Sequence, residues 1–279
     1  MPRSRFDDKS VLVTGAGSGI GRETALIFAA RGASLFLCDV DEESLSATAR
    51  DARRSGGTVH TYLVDVSRRD AMKTFATAVH EHVPAVDVLV NNAGVGLSGG
   101  VLDTELDDWE WVISINLWGV IHGCHFFVPA MVRRKQGGHV VNVASAAGFL
   151  ATPDLAAYAT TKFGVLGLSE ALRTELLPHG IGVSTICPGI INTKIVETAR
   201  LRGGGMSRDE LTALYKRRNY GPEKVAGAIL GAVVKNRGVV PVTPEAWMTY
   251  ALKRALPEST PNLIHRFVAR GRSKKGQGA

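Results

Sequence analysis

The sequence predicts a doubly wound α/β fold, a mostly parallel seven-stranded sheet with helices on both faces, on three observations. Short β-rich runs at residues 10–14, 34–38, 58–64, 86–90, 139–143, 183–187 and 239–242 alternate with longer stretches of helical periodicity. The runs are near-continuous in Val, Ile and Leu, as expected of strands covered on both faces. A glycine-rich turn stands directly after the first run and opens a helical stretch.

The chain has 279 residues, 45% hydrophobic, enough for one large core. Residues 1–245 are expected to form a single domain with 190–218 as a lid, and 246–279 an amphipathic, basic extension. The longest apolar runs stop short of the roughly 20 residues of a spanning helix, and the N-terminus carries no apolar signal segment. Cys38, Cys124 and Cys187 are far apart and lack metal or disulfide spacing, which fits a reducing compartment. A cytoplasmic protein without a metal centre is expected. The net charge of +7 is concentrated late, because residues 1–199 carry 17 basic and 21 acidic side chains, 200–218 carry 6 and 2, and 253–279 carry 7 and 1. That distribution argues against a nucleic-acid reader with a basic stripe on its folded body and for a lid or tail that touches anions.

The turn runs Thr14-Gly15-Ala16-Gly17-Ser18-Gly19-Ile20-Gly21. Glycines let the backbone turn tightly and approach a pyrophosphate, while the following helix offers unpaired N–H groups. The spacing G-x-G-x-x-G fails at Ile20; G-x-x-x-G-x-G fits at Gly15, Gly19 and Gly21, and no P-loop lysine follows. Asp39 ends the second run, where a carboxylate binds ribose hydroxyls and repels a 2′-phosphate, favouring NAD over NADP. Arg22 is the residue that would favour NADP instead. Asp65 and Val66 end the third run, as adenine contacts or as a helix cap beside a core residue.

The fourth run leads into Asn92-Ala93-Gly94, the fifth into Ser145, and a helical stretch then holds Tyr158 and Lys162. Tyr158 and Lys162 are four apart and share a helix face, so an ammonium would stand beside the phenol and favour tyrosinate. A free phenol titrates near a pH of roughly 10, too high for a base at neutrality without such a cation.

In order and spacing these elements, with Asn116 and with Pro188-Gly189 followed by Thr193, resemble the single-domain short-chain dehydrogenases/reductases with their TGxxxGxG and YxxxK motifs. The resemblance covers roughly residues 8–242 and implies a Rossmann-like sheet and hydride transfer between nicotinamide and a carbonyl or alcohol carbon. It implies that Tyr158 transfers the proton, Ser145 bonds the substrate oxygen, Lys162 binds the nicotinamide ribose and assists Tyr158, Asn116 holds a relay water, and Thr193 contacts the carboxamide. The cofactor site would comprise Gly15, Ser18, Gly19, Ile20, Gly21, Asp39, Asp65, Val66, Asn92, Ala93, Gly94, Tyr158, Lys162, Pro188, Gly189 and Thr193. Each has an ordinary structural role as well: Asn116 as a partner for buried backbone, Ser145 as a turn cap, Pro188-Gly189 as a strand stop.

The substrate walls are expected at 95–102, 146–155 and beyond Gly189. Leu97 and Phe149, with Ser145 and Tyr158, would meet an apolar secondary alcohol or ketone, lipid-like, steroid-like or aromatic. The tail from Trp247 through Val268 has amphipathic, cationic spacing, which fits either packing on the subunit or an oligomer interface, or peripheral contact with an anionic membrane. The apolar walls and this tail resemble the subset of the family fused to hydrolase domains or acting on cell-envelope lipids. The resemblance further implies a homodimer or homotetramer paired through the helices at 107–136 and 155–178. The alternatives from other classes are a catalytically idle, dinucleotide-binding redox sensor or scaffold, and a methyltransferase. Neither has a chemical need for Asn116, Ser145, Tyr158 and Lys162 together.

Overall fold

The computed structural model describes residues 6–255. In chain order the elements are β1 (Ser10–Thr14), α1 (Gly19–Ala29), β2 (Ser34–Asp39), α2 (Glu42–Arg54), β3 (Val59–Leu63), α3 (Arg69–His80), β4 (Val88–Asn91) and β5 (Leu97–Ser98). Then come α4 (Leu106–Ile113), a π-helical turn (Ser114–Trp118), α5 (Gly119–Arg134), β6 (Gly138–Val143), α6 (Ala156–Glu175) and β7 (Ile181–Cys187). The chain continues as α7 (Ile195–Thr198), β8 (Arg200–Leu201), α8 (Arg208–Arg218), α9 (Pro222–Lys235), β9 (Val239–Pro241) and α10 (Pro244–Ala255).

All seven expected strands lie in one sheet, in the order β3-β2-β1-β4-β6-β7-β9, with every pair parallel. The order reverses between β1 and β4, which opens a crevice at the carboxyl ends of the strands. Alternate residues feed two cores: Leu12, Phe36, Leu89 and Val140 pack with Phe75 and Phe127 on one face. Val11, Val13, Leu35 and Ile186 pack with Phe28 and Ile229 on the other. Each such fully buried side chain contributes about 1.5–3 kcal/mol. The expectation that all runs are doubly covered fails at β3, an edge strand whose Leu63 is 63% exposed. The pair β5-β8 was not expected from sequence.

The run Leu106–Arg134 is long and apolar enough by length and composition to cross a membrane. Here it packs on the sheet, with Phe127 and Met131 fully buried. A buried amide chain locks this layer: Asn91 donates to Asn142 (2.8 Å), which donates to Ser169 (2.9 Å), which donates to the Val165 carbonyl (2.6 Å). A Cβ at Gly123 would collide with the Asn91 amide, so only glycine lets α5 approach β4 this closely.

His139 on β6 is buried and pairs through Nε2 with Ser184 Oγ at 2.7 Å. Burial brings it down from 6.5 to about 4, with Arg173 adding to the effect. The unfolded chain therefore takes up a proton that the native state refuses. Stability is present above pH 6.5 and lost as pH falls toward 4, by up to about 3 kcal/mol from this group. Urea unfolding across that window should show a smaller pH slope in His139→Gln than in the wild type.

On α10, Ala246 is buried and the Tyr250 ring meets Phe149 edge-on at 5.3 Å, while Trp247 and Met248 are exposed. The remainder of the expected amphipathic tail, from Leu256 on, lies outside the described residues.

Candidate active site

The turn between β1 and α1 is built for close backbone approach. Gly15 and Gly19 sit at φ +64° and +52°, the left-handed region that glycine occupies without strain. A Cβ on Gly21 would fall on the Gly15 carbonyl oxygen and 2.5 Å from the Asn92 amide. Asn92 Nδ2 donates to the carbonyls of Thr14 and Gly15 (3.0 and 3.1 Å), and Thr14 Oγ1 accepts from the N–H groups of Asn92 and Ala93 (3.0 and 3.1 Å). Asn92 and Ala93 thus brace the turn across the switch point. The first residue cap of α1, Ser18, makes no side-chain hydrogen bond, and no acid stands in the first turn, which leaves N–H groups and the positive helix end for an anion.

Asp39 Oδ2 accepts from Gly17 N (2.7 Å) and Oδ1 from Val40 N (2.7 Å) and Asp41 N (3.1 Å), so its carboxylate stands at the edge of the turn. Arg22, the candidate for a 2′-phosphate, pairs instead with Glu23 (2.5 Å) and Asp51 (2.9 Å). Asp65 Oδ1 accepts from Ser67 N and Oγ (2.9 and 2.6 Å), a local turn ahead of α3, whose cap position is Arg68. Val66 is buried and its carbonyl meets His122 Nδ1 at 2.9 Å. The residues expected to contact pyrophosphate and ribose share one crevice with Gly94, where an added Cβ would lie 3.1 Å from Asn116 Oδ1 and 3.6 Å from Lys162 Nζ.

Asn116 is fully buried in the π-helical turn. Its amide is spent on backbone, with Oδ1 accepting from Val95 N (2.8 Å) and Nδ2 donating to Val95 O (2.9 Å). Both ends of the amide fix the segment after Gly94. A π turn offsets the backbone carbonyl ladder and is a common device at functional sites.

Lys162 is buried on α6, donates from Nζ to the Val143 carbonyl (3.2 Å), and lies 5.6 Å from the Tyr158 ring centre. Burial brings its ammonium down to about 8, with Cys187 opposing. Burial pushes the Tyr158 hydroxyl up to about 12, with a hydrogen bond from Ser145 acting against the shift and Tyr215 adding to it. Ser145 Oγ accepts from Ala147 N (3.2 Å) and faces the Pro188 carbonyl at 3.5 Å. The structure therefore brings Ser145, Tyr158 and Lys162 together at the carboxyl edge of β6. Beyond β7, a Cβ on Gly189 would strike Thr243. Thr193 lies over the glycine turn, its Cγ2 3.2 Å from where a Gly19 Cβ would be.

The expected apolar wall is rearranged. Phe149 is buried in the core under Tyr250, because α10 folds back over it, and it is not a free wall. Leu97 is also buried, packed with Val112 and Ala157 in a small cluster that includes Val95, Trp109, Trp111 and the Tyr158 ring. It therefore supports the Tyr158 ring from the apolar side, while Val101 and Leu102 face solvent.

The basic lid is also largely self-paired. Asp108, 2% exposed, accepts from Arg202 (2.7 and 2.8 Å) and Arg200 (3.0 Å), and the Arg200 guanidinium stacks on Trp111 at 4.1 Å. These bonds, Arg202 first, hold the Asp108 carboxyl below the ordinary range. The clasp closes the β5-β8 ladder and fixes one end of the lid to α4. Removing the charge should free that end: tryptic cleavage between residues 200 and 218 is expected to be severalfold faster in Asp108→Asn than in the wild type, at equal global stability. Tyr215, Asp108 and Thr14 Oγ1 are parts of the site that sequence reasoning did not assign. Among the described residues no group of three His, Cys, Asp or Glu could hold a metal ion.

A family profile described as short chain dehydrogenase matches residues 9–202. The chain belongs to the short-chain dehydrogenases. It is therefore an oxidoreductase-family protein with the dinucleotide-binding sheet of that family. It is 42% identical over 265 residues to the probable oxidoreductase EphD of Mycobacterium bovis, covering 92% of this chain and 45% of that protein, so the chain spans about half the length of this relative. It is 36% identical to the putative oxidoreductase SadH of Mycobacterium tuberculosis, over 96% of this chain and 98% of that one. A short-chain dehydrogenase/reductase from Burkholderia phymatum, solved in complex with NAD, superposes with a TM-score of 0.81 at 34% identity, covering 90% and 94% of the two chains.

Proposed function

We propose that this short-chain dehydrogenase is an NAD-dependent oxidoreductase that interconverts secondary alcohols and ketones, with Tyr158 as the general acid and base. The observation that carries the reading is the convergence of Ser145, Tyr158 and Lys162 on the same crevice edge as the braced glycine turn. That turn fits a dinucleotide, because Gly15, Gly19 and Gly21 keep the backbone bare at the helix end where a pyrophosphate would bind. The nicotinamide, when bound, supplies the hydride acceptor or donor.

The residues do the rest. In oxidation, Ser145 holds the substrate hydroxyl, and Tyr158 as tyrosinate takes its proton while hydride leaves the same carbon; reduction reverses both transfers. With Tyr158 at about 12 while Lys162 already stands beside it, the positive charge of an oxidised nicotinamide is what would bring tyrosinate within reach near neutrality. Asn116 keeps Val95 and its neighbours in place beside Gly94. The partly buried members of the Leu97 cluster, Val95 and Trp111 among them, give the substrate an apolar face next to the Tyr158 ring.

NAD rather than NADP is supported by Asp39 at the ribose edge and by Arg22 being paired elsewhere. Absorbance assays of purified protein with NAD+ or NADP+ and a panel of secondary alcohols test the reading. Asp39→Ala is expected to lower the preference for NAD+ about tenfold or more in kcat/KM, the size of one charge-assisted contact; an unchanged preference removes Asp39 from cofactor choice. Exposed Trp118 and Phe163, at the head of α5 and on α6, support a dimer or tetramer paired through these helices.

A further inference from the structure

We propose that Tyr215, on α8, is a substrate-contacting residue of this site, its hydroxyl hydrogen-bonding a second oxygen of the substrate close to the reacting carbon, so that oxygenated secondary alcohols and ketones are selected over plain ones. The inference deepens the function proposed above and rests on it.

The lid helix is held at both ends. Ser207 and Glu210 form a reciprocal cap (3.2 and 2.8 Å), and Arg208 donates to the carbonyls of Val196, Glu197 (2.7 Å) and Ala199 (2.9 Å). Arg218 pairs with Glu245 at the far end. Between these anchors, Thr212 and Tyr215 are three residues apart and share a face of α8. Both line a cavity of about 190 Å³ with Asn192, Thr193 and the charged Lys194, Glu197 and Lys216, beside the loop that lies over the glycine turn.

Tyr215 is half-buried and its hydroxyl has no protein hydrogen-bond partner among the described residues. It is close enough to Tyr158 to act on it electrostatically, and burial raises its own pKa, so it is a neutral phenol able to donate and accept. The Tyr158 ring rests on the apolar Leu97 cluster, while Tyr215 on the lid lines a polar cavity with Thr193, Thr212 and Asn192 and with the charged Lys194, Glu197 and Lys216. A purely hydrocarbon substrate would cover the Tyr215 hydroxyl without giving it a partner, whereas one with a second oxygen would satisfy it.

The test compares two alcohols that differ by one hydroxyl, 1-phenylpropan-1-ol and 1-phenylpropane-1,3-diol, with NAD+. The wild type is expected to favour the diol about tenfold in kcat/KM, the size of one neutral hydrogen bond, and Tyr215→Phe to lose that preference. Equal use of the two alcohols by the wild type, or a preference that survives in Tyr215→Phe, overturns the proposal. Turnover of neither alcohol contradicts the parent reading and overturns the proposal with it, whereas equal use of the two overturns the proposal alone.

Discussion

Gly21→Ala is expected to abolish dinucleotide binding and to cost about 1–3 kcal/mol of stability, the range for overpacking a site that cannot relax. The new Cβ would meet the Gly15 carbonyl oxygen and, at 2.5 Å, the Asn92 amide. Neither can give way cheaply. The first is backbone in the turn itself, and the second is tied by two hydrogen bonds to Thr14 and Gly15. Relief would push the head of α1 away from β1, opening the backbone surface where the pyrophosphate would bind. Calorimetric titration with NAD+ and thermal melting check both effects. Gly167→Ala on α6 is the control: nothing lies within 4 Å of its Cβ position, so it should be neutral or stabilising by up to about 1 kcal/mol. Affinity in Gly21→Ala within threefold of the wild type would show that the turn tolerates a side chain and does not hold the dinucleotide closely.

The second large effect is at Tyr158. Replacing it by Phe keeps the ring on the Leu97 cluster and removes only the hydroxyl, so fold and cofactor affinity should be retained. Turnover in both directions is expected to fall by about 10²–10⁴, the usual contribution of a positioned acid or base. The pH dependence follows from protonation. Oxidation needs tyrosinate and should rise with pH, and reduction needs the phenol and should fall. Burial holds Tyr158 at about 12 with Lys162 already in place, so the observed midpoint reports how far the bound cofactor lowers it. Lys162 itself is near half-charged at about 8, so the two groups titrate as a unit and the profile belongs to the pair.

The main sheet was readable because its inner strands are buried on both faces and therefore spelled in Val, Ile and Leu, with a glycine turn at the first carboxyl end. The pair β5-β8 was not, since two-residue strands carry no periodicity and the Asp108 pairing with Arg200 and Arg202 beside them spans about ninety residues of sequence. For the same reason, counting charge along the lid gave its sign and not its use. One buried carboxylate consumes two of its arginines, and carbonyls and Glu245 consume Arg208 and Arg218.

Phe149 reads as a loop aromatic beside a cleft, and only the return of α10 from the other end of the chain shows that it is covered by Tyr250. Asn116 was found by its place in a pattern. Its bonds to Val95 depend on a π turn that packing imposes and composition does not announce. Tyr215 had no signal at all, since α8 has no buried face to single it out and only its packing against the segment 192–197 places it on a cavity.

The central claim, direct hydride transfer from an alcohol carbon at this site, is tested most directly with a secondary alcohol carrying deuterium on the carbinol carbon. After incubation of the purified protein with NAD+, deuterium should appear at C4 of the reduced nicotinamide, in the wild type and not in Tyr158→Phe. Reduced cofactor without deuterium at C4, or equal transfer by Tyr158→Phe, would contradict the account.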